Sequence, residues 1–194
     1  FYPEHASVPS ELKTEEFVVR PLRATDVELD YDALMASKEE LWLAEEDGWP
    51  SEDFTLAENL EDLQTHEKEH IERTAFTFTI MNPTESECLG CLYIQPLAPV
   101  LNYMREHKID TTAMDDYSAI VTFWVRSSRL VNHLDRRLLG ALLPWFERDW
   151  AFSGVAFGTN SRVKNQVDNF NAAGLRQLYA NVMPDKEGKE LIYG

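Results

Sequence analysis

SAIVTFWVRSSRLVNHLDRR, residues 118–137, runs two patterns back to back. Its first half, SAIVTFWVRS (118–127), is the most strand-like run in the chain, β-branched and aromatic almost throughout, and belongs in the middle of a sheet. Beyond it Leu134, Leu138, Leu142 and Phe146 recur every fourth residue, with Leu139, Leu143 and Trp150 widening the stripe. That spacing predicts a helix buried along one face, and Pro144 is expected to kink it. Between strand and helix lie Arg126, Arg129, Arg136 and Arg137, with Ser127, Ser128 and Asn132 as hydrogen-bonding side chains, a concentration of donors suited to an anion.

Reading outward, EFVVRPL (16–22) predicts a strand, and Ala24-Thr25-Asp26 offers a cap for a helix through Met35. The segment around Trp42, Gly48, Trp49 and Pro50 should break that helix, and Ser51 to Asp53 should cap the next, to about Arg73. TAFTFTIMN (74–82) alternates as a strand does; the turn Pro83–Ser86 and ECLGCLYIQPL complete a hairpin. Residues 98–117 show no sustained period and read as an insertion. GVAFGT (154–159) reads as a short buried strand, followed by a polar helix capped near Gly174. Leu175–Met183 and Glu190–Tyr193 should pair across a turn containing Asp185 and Gly188. The alternation gives an α/β chain with a mixed sheet, expected as one domain over 1–194.

Composition narrows the partners. With 34 acidic and 18 basic residues among 194, the formal charge of −16 repels nucleic-acid phosphates and anionic membranes and attracts small cations. No apolar run approaches the roughly 20 residues of a membrane-spanning helix. Two cysteines, Cys88 and Cys91, cannot build a disulfide framework, and the opening residues show no basic-then-apolar signal. A cytoplasmic location is expected.

Two short motifs invite a metal. HEKEH (66–70) fits the H-E-x-x-H pattern, in which one helix offers two imidazoles and a general-base glutamate. On the predicted helix, however, the apolar stripe is Leu56, Leu60, Leu63 and Ile71, with the histidines at its edge, and charged Lys68 and Glu69 stand between Glu67 and His70. Arg73 stands where the longer metalloprotease pattern needs glycine. The motif reads as a charged surface. Cys88-Leu89-Gly90-Cys91 has no second cysteine pair for a zinc site and lies in a predicted strand, so it reads as two small buried side chains beside a glycine. No metal is expected.

The order of elements, together with FVVRPLRATDV near the start, ECLGCLYIQPL in the hairpin and NFNAAGLRQLY near the end, resembles the GNAT superfamily of acyl-CoA-dependent N-acyltransferases. The resemblance implies a twisted mixed sheet splayed open beside the central strand, so that the arm of acetyl-CoA can enter. Backbone groups of Phe123, Trp124, Val125 and Arg126 would meet that arm. Ser127, Ser128, Arg129, Asn132 and His133, with the helix that follows, would meet the pyrophosphate. The family's phosphate loop carries glycines that this chain lacks, so side chains would have to replace them. Asn160 and Asn165 are further coenzyme-side candidates, with helix capping as their other reading.

The implied chemistry is attack of a neutral amine on a thioester, which needs a proton acceptor and a proton donor for the thiolate. Many relatives use a tyrosine where this chain has Phe170. Tyr179 and Tyr117 are the alternative substitute donors, and Glu87 and Asp116 are the candidate bases. Trp42, Trp49 and Phe54, gathered with Glu45, Glu46 and Asp47, should line an acceptor pocket for a cationic amine. The two functional readings are an N-acetyltransferase acting on a small-molecule or peptide amine, with a homodimer among its allowed assemblies, and a catalytically silent binding module.

Overall fold

The computed structural model describes residues 1–182 and 186–194. Among these residues eight strands share one sheet: β1 (Leu12–Lys13), β2 (Val18–Pro21), β3 (Phe76–Met81), β4 (Cys88–Pro96), β5 (Ala119–Val125), β6 (Val155–Asn160), β7 (Gln177–Val182) and β8 (Lys189–Tyr193). Their order is β1-β2-β3-β4-β5-β6-β8-β7, antiparallel throughout except for the parallel pair β5–β6. The run 118–127 thus supplies an interior strand, as its composition demands. Of the expected terminal hairpin, the strands are present, and Met183 and Asp185 lie outside the described residues.

Seven α-helices among the described residues pack on this sheet: α1 (Val27–Met35), α2 (Lys38–Glu45), α3 (Leu56–Glu72), α4 (Ala98–Glu106), α5 (Ser127–Leu130), α6 (Leu134–Asp149) and α7 (Lys164–Ala172). The largest core forms where α6 lays Leu138, Leu142 and Trp145 against Phe78, Ile80, Val121 and Phe123. On the opposite face Ile120 joins the cluster under α4, while Trp124 packs with Leu22, Leu63 and Cys91 beneath α1 and α3. Side chains of β5 therefore alternate between a closed core and the face that carries the cavities, following the period of two. Pro144 lies inside α6, which continues as a helix to Asp149.

Several expectations are corrected. Trp42 does not break a helix; it lies within α2, and the break before it falls at Ala36 and Ser37. The cap of α3 is Thr55 rather than Ser51–Asp53: its side chain accepts from the Glu58 N–H while Glu58 reaches back to the Thr55 N–H. Asp26 stands at the N-cap of α1, where a cap was expected, but its side chain makes no capping bond and instead grips the buried Arg20 guanidinium through two bonds of 2.7 and 3.0 Å. The stretch 98–117 is helical: α4 buries Leu101 and Met104, and a 3-10 turn buries Met114. On α3 the expected apolar stripe is buried only in part: Leu63 faces inward, whereas Leu56 and Ile71 are exposed and Asn59 takes the other inward place. Among the described residues no helix is long and apolar enough to cross a membrane.

Candidate active site

Strands β5 and β6 pair only at Ala119–Val155, Ile120–Ala156 and Val121–Phe157. Beyond that point β5 stays bonded to β4 as far as Val125, and β6 stays bonded to β8 as far as Asn160. Each strand follows its outer neighbour, so the two part. The gap is a cavity of about 270 Å³, walled by Thr122, Phe123, Gly158 and Thr159. The Phe123 carbonyl faces this gap and accepts from Gln166 Nε2 at 2.6 Å. Gly158 has no room for a side chain to grow freely, since a Cβ there would stand 3.1 Å from the Thr122 methyl.

A second cavity, of about 440 Å³, opens on the face beneath α1 and α3, with Asp30, Asp62, His66 and Trp49 in its wall. Glu45, Tyr93, Thr122 and Trp124 line both cavities and so mark their junction. Register explains the meeting: Tyr93 lies opposite Thr122 and Cys91 opposite Trp124 across β4 and β5. Gly90, at φ +147°, lets β4 approach so closely that a Cβ there would sit 2.1 Å from the Trp124 carbonyl. The Tyr93 hydroxyl accepts from Trp124 Nε1 at 3.3 Å. Burial, reinforced by Cys91 and Asp30, drives its pKa well above the usual phenol value, so its proton is retained. Glu45 is raised by desolvation and by neighbouring Asp47.

At the floor, Asp30 is buried and accepts from Asn59 Nδ2 at 3.0 Å and from Cys91 Sγ at 3.2 Å. Desolvation raises its pKa, and that of Asp62. The Cys91 thiol is also pushed up, by its hydrogen bond with Cys88 and by burial. Of the expected acceptor residues, Glu45, Asp47 and Trp49 line this cavity. Phe54 stands against Trp49, and Trp42 donates its Nε1–H to the Pro50 carbonyl at 2.9 Å, bracing the loop. Glu46 turns away and accepts from Asn160 Nδ2, Arg162 Nη1 and the Gly188 N–H at 2.8 to 2.9 Å. Those donors, Arg162 foremost, hold its carboxyl at about 2 and clasp α2 to the end of β6.

The turn after β5 is rich in charge and nearly all of it is paired internally. Arg126 Nη1 lies 2.7 Å from Asp32 and its Nε 3.9 Å from Glu87. Arg129 bonds the other Glu87 oxygen, and Arg137 bonds Glu16 at 2.5 Å. Ser127 donates its hydroxyl to Glu40 and its N–H to Ser37 Oγ. Ser128, Asn132 and His133 are exposed, and His133 adopts the left-handed φ of +55° that a glycine would take without strain. The Asn132 carbonyl is engaged by Arg137. Asn165 and Asn169 both donate to Asp135, a buried carboxylate in the first turn of α6.

No family model and no curated protein matches the sequence. Solved structures do match. RimL, a ribosomal L7/L12 alpha-N-protein acetyltransferase in complex with coenzyme A, superposes with a TM-score of 0.70 at 12% identity, covering 95% of this chain and 96% of its own. A ribosomal-protein-S5-alanine acetyltransferase from Vibrio fischeri gives 0.68 at 13% identity, with 95% of each chain covered. The Microcin C7 self immunity acetyltransferase MccE, in complex with acetyl-CoA and AMP, gives 0.68 at 11%, with 96% of each chain covered. The fold is GNAT-like.

Within this GNAT-like frame the sequence-predicted residues separate. Phe123, Trp124 and Asn160 line the cleft; Val125 and Asn165 line a small adjoining cavity of about 40 Å³. Glu87 is a counter-ion of Arg126 and Arg129. Neither Tyr179 nor Asp116 is among the described residues around the two cavities that meet at Glu45 and Tyr93: Tyr179 packs with the α4 cluster, its pKa raised by desolvation, and Asp116 precedes β5. Phe170 is fully buried against Phe123, Phe157 and Tyr193. His66 and His70, expected at the surface, are half-buried; His66 faces the Tyr93 ring, and His70 bonds the Thr77 carbonyl at 3.2 Å. Among the described residues no group of three or more His, Cys, Asp or Glu side chains is arranged to hold a metal ion. Sequence reading missed Tyr93, Thr122, Asp30 and Gln166, because only strand register and helix facing bring them to the gap.

Proposed function

We propose that the chain transfers an acetyl group from acetyl-CoA to a primary amine of a cationic acceptor, a small molecule or a peptide. The observation that supports this reading is the junction: a gap between parting strands on one side and an acidic, aromatic-walled cavity on the other share Glu45, Tyr93, Thr122 and Trp124. A thioester lying between β5 and β6 would present its carbonyl to an amine held among Asp30, Asp47 and Asp62, with the Trp49 ring beside it. Glu45, made more basic by burial and by Asp47, takes the proton of the ammonium. Tyr93, which keeps its hydroxyl proton, donates to the departing thiolate. The likeness to RimL and MccE, solved with coenzyme A and acetyl-CoA, is consistent with this donor.

One observation favours the silent module instead: the arginines Arg126, Arg129 and Arg137 are already ion-paired with Asp32, Glu87 and Glu16. Calorimetric titration with acetyl-CoA, then a free-thiol assay across diamines, amino acids and short peptides, separates the readings. Binding with thiol release supports transfer. Binding without release by any amine supports the module, and absence of both heat and melting shift at millimolar acetyl-CoA overturns the transferase reading.

A further inference from the structure

The carboxamide of Gln166 bridges the parting strands. Its Nε2 donates to the Phe123 carbonyl of β5 at 2.6 Å, and its Oε1 accepts from the Thr159 hydroxyl of β6 at 2.6 Å. The side chain therefore stands where a peptide unit of an intervening strand would stand. Phe123 lies past the last β5–β6 pair, so its buried carbonyl needs a donor from elsewhere. Gln166 also belongs to the walls of both the 270 Å³ cleft and the adjoining 40 Å³ cavity, where with Leu41, Ala44, Phe123 and Trp124 it forms part of the partition between them. On the acyl-transfer reading, an extended thioester arm crosses that partition.

Resting on the acyl-transfer reading, we infer that Gln166 is a latch. Its carboxamide occupies the β5 hydrogen-bonding position that an amide of the incoming arm requires, and the arm binds by displacing it. The exchange leaves the Phe123 carbonyl bonded in both states, by Gln166 when the cleft is closed and by the arm's N–H when it is filled. Helix α7 can release the side chain without moving, because Asn165 and Asn169 anchor it to Asp135 and Phe170 holds it in the core. The consequence is a reduced apparent affinity: one buried and one part-buried hydrogen bond restrict the open form to a minor population, and the observed Kd is weakened by that fraction.

The test is calorimetric titration of acetyl-CoA into the whole chain, into Gln166→Ala and into Thr159→Val, with melting temperatures measured alongside. Gln166→Ala removes this part of the partition and should bind about tenfold tighter while melting lower. Thr159→Val leaves the glutamine in place with one bond fewer and should bind about threefold tighter, which keeps the test open should the alanine variant fold poorly. A merely structural glutamine would weaken binding as it lowers stability, so tighter binding in a less stable protein is diagnostic. Equal or weaker binding by both variants, with the unmodified chain binding, overturns the latch and leaves the transferase reading standing. Absence of binding by all three proteins removes the transferase reading, and the latch with it.

Discussion

Replacing Glu87 by Gln tests how the turn after β5 handles a diphosphate. In the structure this one carboxylate faces two guanidiniums, bonding Arg129 and standing 3.9 Å from Arg126 Nε, while Asp32 separately holds Arg126 Nη1 at 2.7 Å. Glutamine keeps the size, removes the charge and leaves Arg129 with no carboxylate partner at that site. A guanidinium about 4 Å from a phosphate oxygen gains about 4 kcal/mol at an effective dielectric of 20. Desolvation and side-chain ordering offset most of it in so exposed a place, leaving about 1 kcal/mol, or roughly a fivefold tighter Kd for acetyl-CoA. The salt dependence should steepen, since an additional charge contact is screened between 50 and 200 mM salt. Isothermal titration at both salts reads each effect, and steady-state kinetics supplies the control. Were Glu87 the general base suggested by its place in the sequence, Gln would cut kcat at least a hundredfold with Kd unmoved. Unchanged or weaker binding at both salts would refute the argument that internal carboxylates compete with the diphosphate.

Other changes probe the junction and its supports. Tyr93→Phe should lower kcat about a hundredfold while leaving the Kd for acetyl-CoA within twofold; a kcat within threefold of the parent would remove Tyr93 as the proton donor. Asp30 has a folded pKa raised by burial, so its folded form holds its proton longer than the unfolded chain does, and stability declines as pH rises from the unfolded value through the folded one. Asp30→Asn should therefore melt about 2–4 °C higher at pH 8, a gain of about 1 kcal/mol, match the parent in acid, and bind a cationic acceptor more weakly. A lower melting temperature at pH 8 would contradict this. Glu46 behaves in the opposite sense: held at about 2, it contributes stability that is complete above its ordinary 4.5 and disappears as pH falls toward 2. Urea midpoints of Glu46→Gln and the parent should converge across that window; parallel curves would show that the clasp does not titrate.

Much of the architecture was legible because its signals are local. The alternation in TAFTFTIMN, the four-residue recurrence from Leu134 to Phe146 and the glycine at 174 each correspond to an element, and their order carried the resemblance. Helix α4 escaped because its nine residues bury only Leu101 and Met104, too few inward positions to repeat a period. The inward face of α3 escaped for a different reason. Asn59, Leu63, His66 and His70 fall at i, i+4, i+7 and i+11, a proper helical stripe, but the first three line the acidic cavity and His70 sets its ring against Phe76 and Phe78 while bonding the Thr77 carbonyl. Polarity on the buried side defeats a reading that equates burial with apolar residues, and it turned a half-buried pair of histidines into an expected surface motif. The cap at Thr55 was written in sequence as T-x-x-E and was overlooked in favour of an earlier serine. The junction is another matter. Glu45, Tyr93, Trp124 and Gln166 come from a helix end, two strands and a distant helix, and no spacing along the chain announces that they converge.

The sealed thiols of Cys88 and Cys91 have a practical use. With 0% and 1% of their surface exposed, and with Cys91 pushed away from thiolate, both should ignore a maleimide dye under native conditions. Val131, 77% exposed in the turn between α5 and α6, can then be exchanged for a cysteine that takes a single fluorophore. The molecule offers a nearly silent background for watching, by emission alone, the moment a phosphate-bearing thioester reaches that turn.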